Sequence, residues 1–526
     1  MQSIENQNVE ESASEIGLRT AKVASYILVS KVISLIMLAL SFIVVARILG
    51  PKIYGIYVLA TATVGIFGAV GNFGIATAIN KFSAEYRAKN SNAELNNLLS
   101  NGLFMLAAIS IVLASLLVLF SVPIAAYVMH SASLAYILRA IALSIIFSML
   151  FGALYGALIG MGKGSHASFM IILQSSGQSI VSIVLAYMGY GALAPILGLV
   201  FGMFIGFVTG IILVYGVNRI DMVRPSTKKM KPIMRFSLPI AVSNIFNVIV
   251  GNLGPIMLSM FATTLVLGNF GVASKVSYLF DIIIGTIGIS LLPTFASSLA
   301  NKKTKSRTGE FYSYSLYVAF LFVAPLIFIV AFLSKPFSYV AFSGIYTLAP
   351  FYILIMSIGV LVGMAGNYAV PLLMSANKVK TVVKYNIIIA IMGIVLMPLL
   401  IPTLKGTGLV LLLFIINPVL YDIFFVYEIK KSFNVKINIR KIGKVLAANF
   451  ISIAFVYPLV ILLGGNYIPL IIGAMIIMIL LYPPLLAVLK GVEKHDIATI
   501  RKVVGEIPVV GSIVSLLLDY SLLFAG

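Results

Sequence analysis

Residues able to make and break bonds are few in this sequence and poorly placed for it. Three histidines (His130, His166 and His495) are scattered through 526 residues, and there is no cysteine. Thiol catalysis, disulfides and cysteine-ligated metals are thereby excluded. Neither H-E-x-x-H nor Asp-x-Asp occurs. The run GMGKGS (160–165) is glycine-rich and carries a lysine. A Walker A loop, however, needs Gly where Ala157 stands and Ser or Thr where Gly164 follows Lys163. The run reads as a turn between helices. Four of the fifteen acids, Glu5, Glu10, Glu11 and Glu15, lie in the first 20 residues. Little is left for an acid–base pair, so a catalytic reading has no residues to stand on.

What remains is polar chemistry inside apolar runs. Lys31, Arg139 and Lys275 are the intramembrane cations; Asp281 and Asp422 are the clear intramembrane acids, with Glu428 at a helix end. A charge within hydrocarbon needs water, a counter-ion or a ligand. That requirement falls hardest on Lys31, which is mid-span. Arg139 and Lys275 lie toward the outer ends of their runs and could equally extend their charges to the surface. Gln174, Gln178 and Ser182 recur at i, i+4 and i+8. Such a stripe could hydrogen-bond sugar hydroxyls or knit two helices together. Lys31, Ser34 and Ser41 fall within about 80° of one another on a 3.6-residue helix. Asn244, Asn247 and Gly254 take the same arc in a later run.

The elements that must hold these residues follow from composition. Hydrophobic residues make up 61% of the chain and charged residues 10%, with a mean hydropathy of +1.12. Soluble domains carry about 25% charge. Fourteen apolar runs are long enough to cross a bilayer: 24–46, 54–79, 101–128, 134–161, 166–188, 192–216, 236–261, 268–298, 311–333, 345–374, 382–402, 406–428, 442–464 and 467–489. A crossing takes about 20 residues. Period-two alternation is missing, which argues against a barrel. The expected class is an all-α polytopic membrane protein of about 14 transmembrane helices. Residues 1–20 are polar, and the run from 24 is too long for a signal h-region, so it reads as the first span. Residues 507–526 could lie in the interface or form a fifteenth span; the interfacial tail is the preferred reading.

Net charge is +21. In a soluble chain that would suggest nucleic acid. Here the charges sit between apolar runs and sort by side. With the N-terminus in the cytoplasm, 29 of the 36 Lys and Arg residues fall on the cytoplasmic side. Only Arg47, Lys52, Lys335 and Lys405 fall outside, and three lie within spans. Positive loops stay inside, so this split supports both the span order and the orientation.

Two halves show weak similarity. VSKVISLI (29–36) aligns with VSNIFNVI (242–249), and YGIYVLA (54–60) with FGVASKV (270–276). Between them lies the basic stretch 218–235. Parallel repeats of this kind build transporters with a cavity between two lobes. The expected organisation is a tail at 1–20, an N-lobe at 21–217, a linker at 218–235, a C-lobe at 236–430, two further spans at 431–490 and a tail at 491–526. Glycines at every fourth position, Gly152, Gly156 and Gly160, then Gly198, Gly202, Gly206 and Gly210, predict close helix packing or a sliding surface.

Particular segments narrow this further. ARILGPKIYGIYVLA (46–60) followed by GNFGIATAINKFSAEY (71–86) resembles the opening of the polysaccharide transporters. These are the oligosaccharide-lipid flippases of the multidrug/oligosaccharidyl-lipid/polysaccharide exporter superfamily. RFSLPIAVSN (235–244), LGNFGVASKV (267–276) and LLMSANKVK (372–380) are similar to later landmarks, so the resemblance covers about 20–430. It implies two six-helix lobes in a V shape, two added C-terminal helices and alternating access. It also implies a cationic central cavity, for which Lys31, Arg139 and Lys275 are the available positions. Arg47 matches the family's Arg before the LGP turn and reads as a loop anchor. Many members carry an acid in the seventh span near NLGPIML (252–258); this chain has Gly254 and Pro255 there and no acid in that span. Asp281 and Asp422 are left as candidates for cation coupling, or the driving force is of another kind.

The leading expectation is a flippase, not an enzyme. It would move a polyprenyl- or dolichyl-(di)phosphate-linked oligosaccharide to the outer leaflet of the cell membrane, using Lys31, Arg139, Lys275, Gln174, Gln178, Asn244 and Asn247. No metal or cofactor is expected. The expected partners are the lipid-linked glycan, membrane lipids and glycosyltransferases or a polymerase of the same pathway, with a monomer sufficing. The alternative is a cation-coupled multidrug or metabolite antiporter, which would favour an acidic, aromatic cavity. A membrane-integral polymerase would need a long acidic or His-bearing loop, and none is present.

Overall fold

The computed structural model describes residues 2–71, 74–217, 221–300, 305–493, 495–497 and 520. Its secondary structure over these residues is helical, with no strand among them. Hydrocarbon offers the backbone no partner, so each apolar run satisfies its N–H and C=O groups within itself. Among the described residues nine helices can cross a membrane by length and composition, or ten if one pair bent by 41° counts as one span. The fourteen runs therefore do not map one to one onto helices. Two of the nine, Val29–Ala69 and Val379–Phe433, are 41 and 55 residues long. At about 1.5 Å per residue each exceeds one bilayer crossing. Each contains a non-helical residue, Gly50 and Lys405 respectively, that divides it. Other runs are split into shorter pieces.

Contacts divide the chain into two compact units, Met1–Gly268 and Asn269–Gly526. The first contains α1 (Gln2–Gly71), α2 (Ile75–Ala88), α3 (Asn92–Leu119), α4 (Ser121–Val128), α5 (Ala135–Gly160), α6 (Gly164–Tyr187), α7 (Leu193–Ile211) and α8 (Thr227–Phe261). A further helix, α9 (Thr264–Ser290), begins in it. Gly50 stands at φ 69°, ψ 170° just before Pro51. That region is essentially reserved for glycine, which accounts for the LGP turn in the motif.

The glycine rows close two seams here. A Cβ on Gly202 would lie 2.6 Å from Gln178 Cβ and 2.7 Å from the Gln174 carbonyl of α6. A Cβ on Gly156 would meet the Ala76 carbonyl of α2 at 2.9 Å. Around them Ile79, Leu99, Leu106, Ile145, Leu154 and Met170 form a buried core. The basic stretch after α7 is strapped to the start of α3. Val223 N–H donates to Ser100 Oγ (2.9 Å), Ser226 N–H to Asn101 Oδ1 (2.7 Å), and Lys229 pairs with Glu94 at 2.8 Å. From Thr227 that stretch is already helical.

The second unit holds the rest of α9, α10 (Leu292–Ala300), α11 (Thr308–Phe332), α12 (Ser334–Phe342), α13 (Ala349–Val362), α14 (Met364–Ser375) and α15 (Val379–Leu411). It ends with α16 (Asn417–Phe433), α17 (Ile439–Ala454), α18 (Tyr457–Leu463) and α19 (Tyr467–Val488). A π-helical turn, Leu412–Ile416, joins α15 to α16. Tyr312, Leu316, Tyr368, Leu372, Phe425 and Val445 lie in its core. The segment after α19 docks on it. Lys441 Nζ pairs with Asp496 at 2.6 Å, and Tyr317 Oη donates to the Gly491 carbonyl at 2.8 Å. Residues 507–526, expected as an interfacial tail, lie outside the described residues except Tyr520.

Candidate functional site

The polar arc of α1 divides when it meets α6. Ser175 Oγ of α6 donates to Ser34 Oγ at 3.0 Å. Ser41 Oγ donates to the Ser179 carbonyl at 3.4 Å, while Ser179 Oγ donates back to the Met37 carbonyl at 3.2 Å. The serines thus knit two helices. Lys31 keeps an exposed side chain on α1 and has no ion-pair or hydrogen-bond partner among the described residues. Its mid-helix position leaves the charge to be met by water or a ligand.

Gln174 is buried and donates through Nε2 to Gln178 Oε1 at 2.9 Å. Both lie under the glycine row of α7. Arg139 is five residues into α5 and exposed, and its Nε donates to Ser121 Oγ at 3.0 Å. Lys275 is exposed on α9 with no ion pair or hydrogen bond among the described residues. The side chains of Asn244, Asn247 and Asp281 lie outside the described residues, although their helices are defined. Among the described residues Lys31, Arg139, Lys275 and Asp422 share no hydrogen bond or ion pair with one another; the pair brought together is Gln174 and Gln178.

Asp422 has a definite structural task. α13 stops and α14 starts at Gly363, with a 41° bend. The start of a helix leaves N–H groups without partners. Asp422 Oδ1 accepts from Gly366 N–H at 2.6 Å, placing a carboxylate on the positive end of α14. Beside this break is a cavity of about 190 Å³, lined by Gly359, Gly363, Asn367, Phe414, Asn417 and Tyr421 among others. Asn367 Nδ2 donates to the Gly363 carbonyl at 3.0 Å. Asn417 Oδ1 is buried with no hydrogen-bond partner. An acceptor left in that condition costs about 1–3 kcal/mol. Tyr421 Oη donates to Asn386 Oδ1 at 2.6 Å, and the Tyr421 ring lies 4.6 Å from that of Phe425.

The sequence also hid a cation. Lys81 counts as a loop residue when span two ends at 79, yet α2 carries it to Ala88. Lys81 Nζ lies 4.2 Å from the Phe236 ring of α8 and 5.2 Å from Phe82. Glu85, one turn on, is engaged at 2.7 Å by Lys89, whose hydrogen bond holds that carboxyl below its usual range. Lys81 thus stands on an aromatic ledge. The signal was present: NKFSAEY and RFSLPI, the two segments that touch here, both belong to the family motifs.

Long apolar helices in two units define a polytopic membrane protein, and its family match and fold are those of the multidrug/oligosaccharidyl-lipid/polysaccharide exporter superfamily of transporters. A family model described as polysaccharide biosynthesis protein matches residues 20–299, and the chain belongs to that family. Among solved structures, it is similar to the lipid II flippase MurJ in an inward closed conformation. The TM-score is 0.72 at 14% identity, over 88% of this chain and 98% of that one. It is also similar to an inward-facing multidrug resistance MATE family transporter of the MOP superfamily. There the TM-score is 0.66 at 14% identity, over 78% of this chain and 98% of that one. At such identities the likeness is one of fold. No curated protein matches the chain.

Proposed function

We propose that this transporter is a flippase that carries a polyprenyl- or dolichyl-(di)phosphate-linked oligosaccharide from the cytoplasmic to the outer leaflet of the cell membrane, with its N-terminus in the cytoplasm. The observation that carries the reading is that Lys31 and Lys275, both on apolar helices, are exposed and have no carboxylate partner among the described residues. A phosphate headgroup crossing hydrocarbon meets a large desolvation barrier, and unpaired cations lower it. A cation-attracting antiporter would place acids there instead. Membership of a polysaccharide biosynthesis family supports a glycan as cargo.

The test is the lipid-linked glycan pool of a deletion strain. Accumulation on the cytoplasmic leaflet, restored to normal by the wild-type gene, is the expected result. Lys31→Ala and Lys275→Ala should each cut glycan export at least tenfold at unchanged protein level, with Lys→Arg recovering most of it. Full complementation by both alanine variants removes the cationic mechanism. Broad drug sensitivity with normal surface glycans would favour the antiporter.

A further inference from the structure

We infer that the cavity at the α13–α14 break is a subsite for one neutral pyranose residue of the transported glycan, held by the amides of Asn367 and Asn417 and the ring of Tyr421. The inference rests on the reading of the cargo as a glycan and adds where in the second unit a sugar ring is received.

Size is the first argument. The cavity measures about 190 Å³. At about 30 Å³ per water it holds about six waters, which is the space of a single sugar ring with its hydroxyls. A bare cation would leave most of it empty.

The lining supplies the second argument. No charged side chain contributes to it. Asp422, the acid nearest in sequence, is turned to Gly366 N–H and does not line the cavity. A phosphate would find no cation in the cavity, and a metal ion no carboxylate. The polar lining that remains is neutral: the residues Asn367 and Asn417, each with a side-chain amide, the first tethered through Nδ2 to the Gly363 carbonyl. A hydroxyl both donates and accepts, so a polyol suits amide groups in either orientation.

The third argument is rigidity. Tyr421 is fixed at both ends, by its hydroxyl on Asn386 and its ring against Phe425. Tyr421 lines the cavity, and a residue held in this way can meet a pyranose at little ordering cost. Breaks in the flanking helices make the space. α13 ends at Gly363, and the π-turn Leu412–Ile416 lies opposite, with the Phe414 carbonyl packed directly on Gly359. Discontinuous helices of this kind are where transporters open backbone and amide groups to a substrate.

Saturation-transfer NMR on the full chain in lipid nanodiscs tests this. The probes are free methyl pyranosides: neutral hexosides, N-acetylhexosaminides and uronides. At least one should receive saturation from the wild type. Its signal should fall at least fivefold in Asn417→Ala, Asn367→Ala and Tyr421→Leu, and stay within twofold in Lys436→Ala. Three variants are read in parallel, so misfolding of one leaves the others decisive. The subsite is overturned if no pyranoside is saturated, if the three variants bind as well as the wild type, or if sodium-23 relaxation shows the cavity variants losing Na⁺ instead. Should the deletion strain accumulate lipid-linked glycan while no pyranoside binds, the subsite alone falls. Should pyranosides bind while no glycan accumulates, it is the flippase reading that falls.

Discussion

Asp422 and Lys31 show two fates for a charge set in an apolar helix. The carboxyl group finds a helix start and accepts from Gly366 N–H; the ammonium finds no partner among the described residues. The difference predicts different mutational behaviour. Asp422→Ala uncaps α14 and should cost about 1–2 kcal/mol, in line with the loss of a helix cap, read as a lower melting temperature in detergent. Asp422→Asn keeps an acceptor oxygen and should melt close to wild type. If Asp422 also couples a cation, the Asn variant separates the roles, because it retains stability and loses ion dependence. Lys31 was legible in the sequence because a cation stands out against leucines and valines. Asn367 and Asn417 were not: they are 50 positions apart, each an ordinary polar residue in an apolar run, and they meet because α13 stops short and α16 follows a π-turn. Lys81 was hidden by a span boundary a few residues too early, for Gly74 at φ 70° restarts the helix that carries it.

Among the helices, small residues every fourth position announced close packing, but not against which neighbour, nor at which glycines. α7 lays its row on α6, directly over Gln174 and Gln178, whereas α5 sets Gly156 and Gly160 against α2. Gly152 has the same spacing yet meets nothing within 4 Å. Gly202→Leu should therefore destabilise by about 1–3 kcal/mol through overpacking. Gly152→Ala should be neutral or stabilising by up to about 1 kcal/mol, from helix propensity alone. Thermal unfolding of the two purified variants checks the contrast; equal losses would mean the seam is not where α6 and α7 place it. Span number was less legible than span chemistry. The gaps between runs 24–46 and 54–79 and between 382–402 and 406–428 bracket Gly50 and Lys405, where a residue out of helical geometry divides a long helix, whereas the run 345–374 gives no sign of the stop at Gly363.

Across the whole molecule, charge sorting underlies the proposed orientation. The proposed orientation, drawn from the expected sorting of 29 of 36 basic residues to one side, puts the N-terminus and the α2–α3 turn in the cytoplasm and the α4–α5 turn at the exterior. The chain has no cysteine, so single substitutions report without background. An impermeant maleimide applied to intact cells should label Ser133→Cys and spare Asn92→Cys until the cells are opened. The reverse pattern would invert the topology. The fastening of residues 489–497 has a practical consequence. Lys441 and Asp496 keep only 17% and 5% of their side-chain surface, so removing the acid strands an ammonium, at a cost of about 3 kcal/mol. A chain trimmed at Lys490 would lose that clasp together with the Tyr317 bond, and should melt earlier than one trimmed at position 500. Fluorescent reporters and purification handles are therefore better joined after 500 than spliced closer to α19.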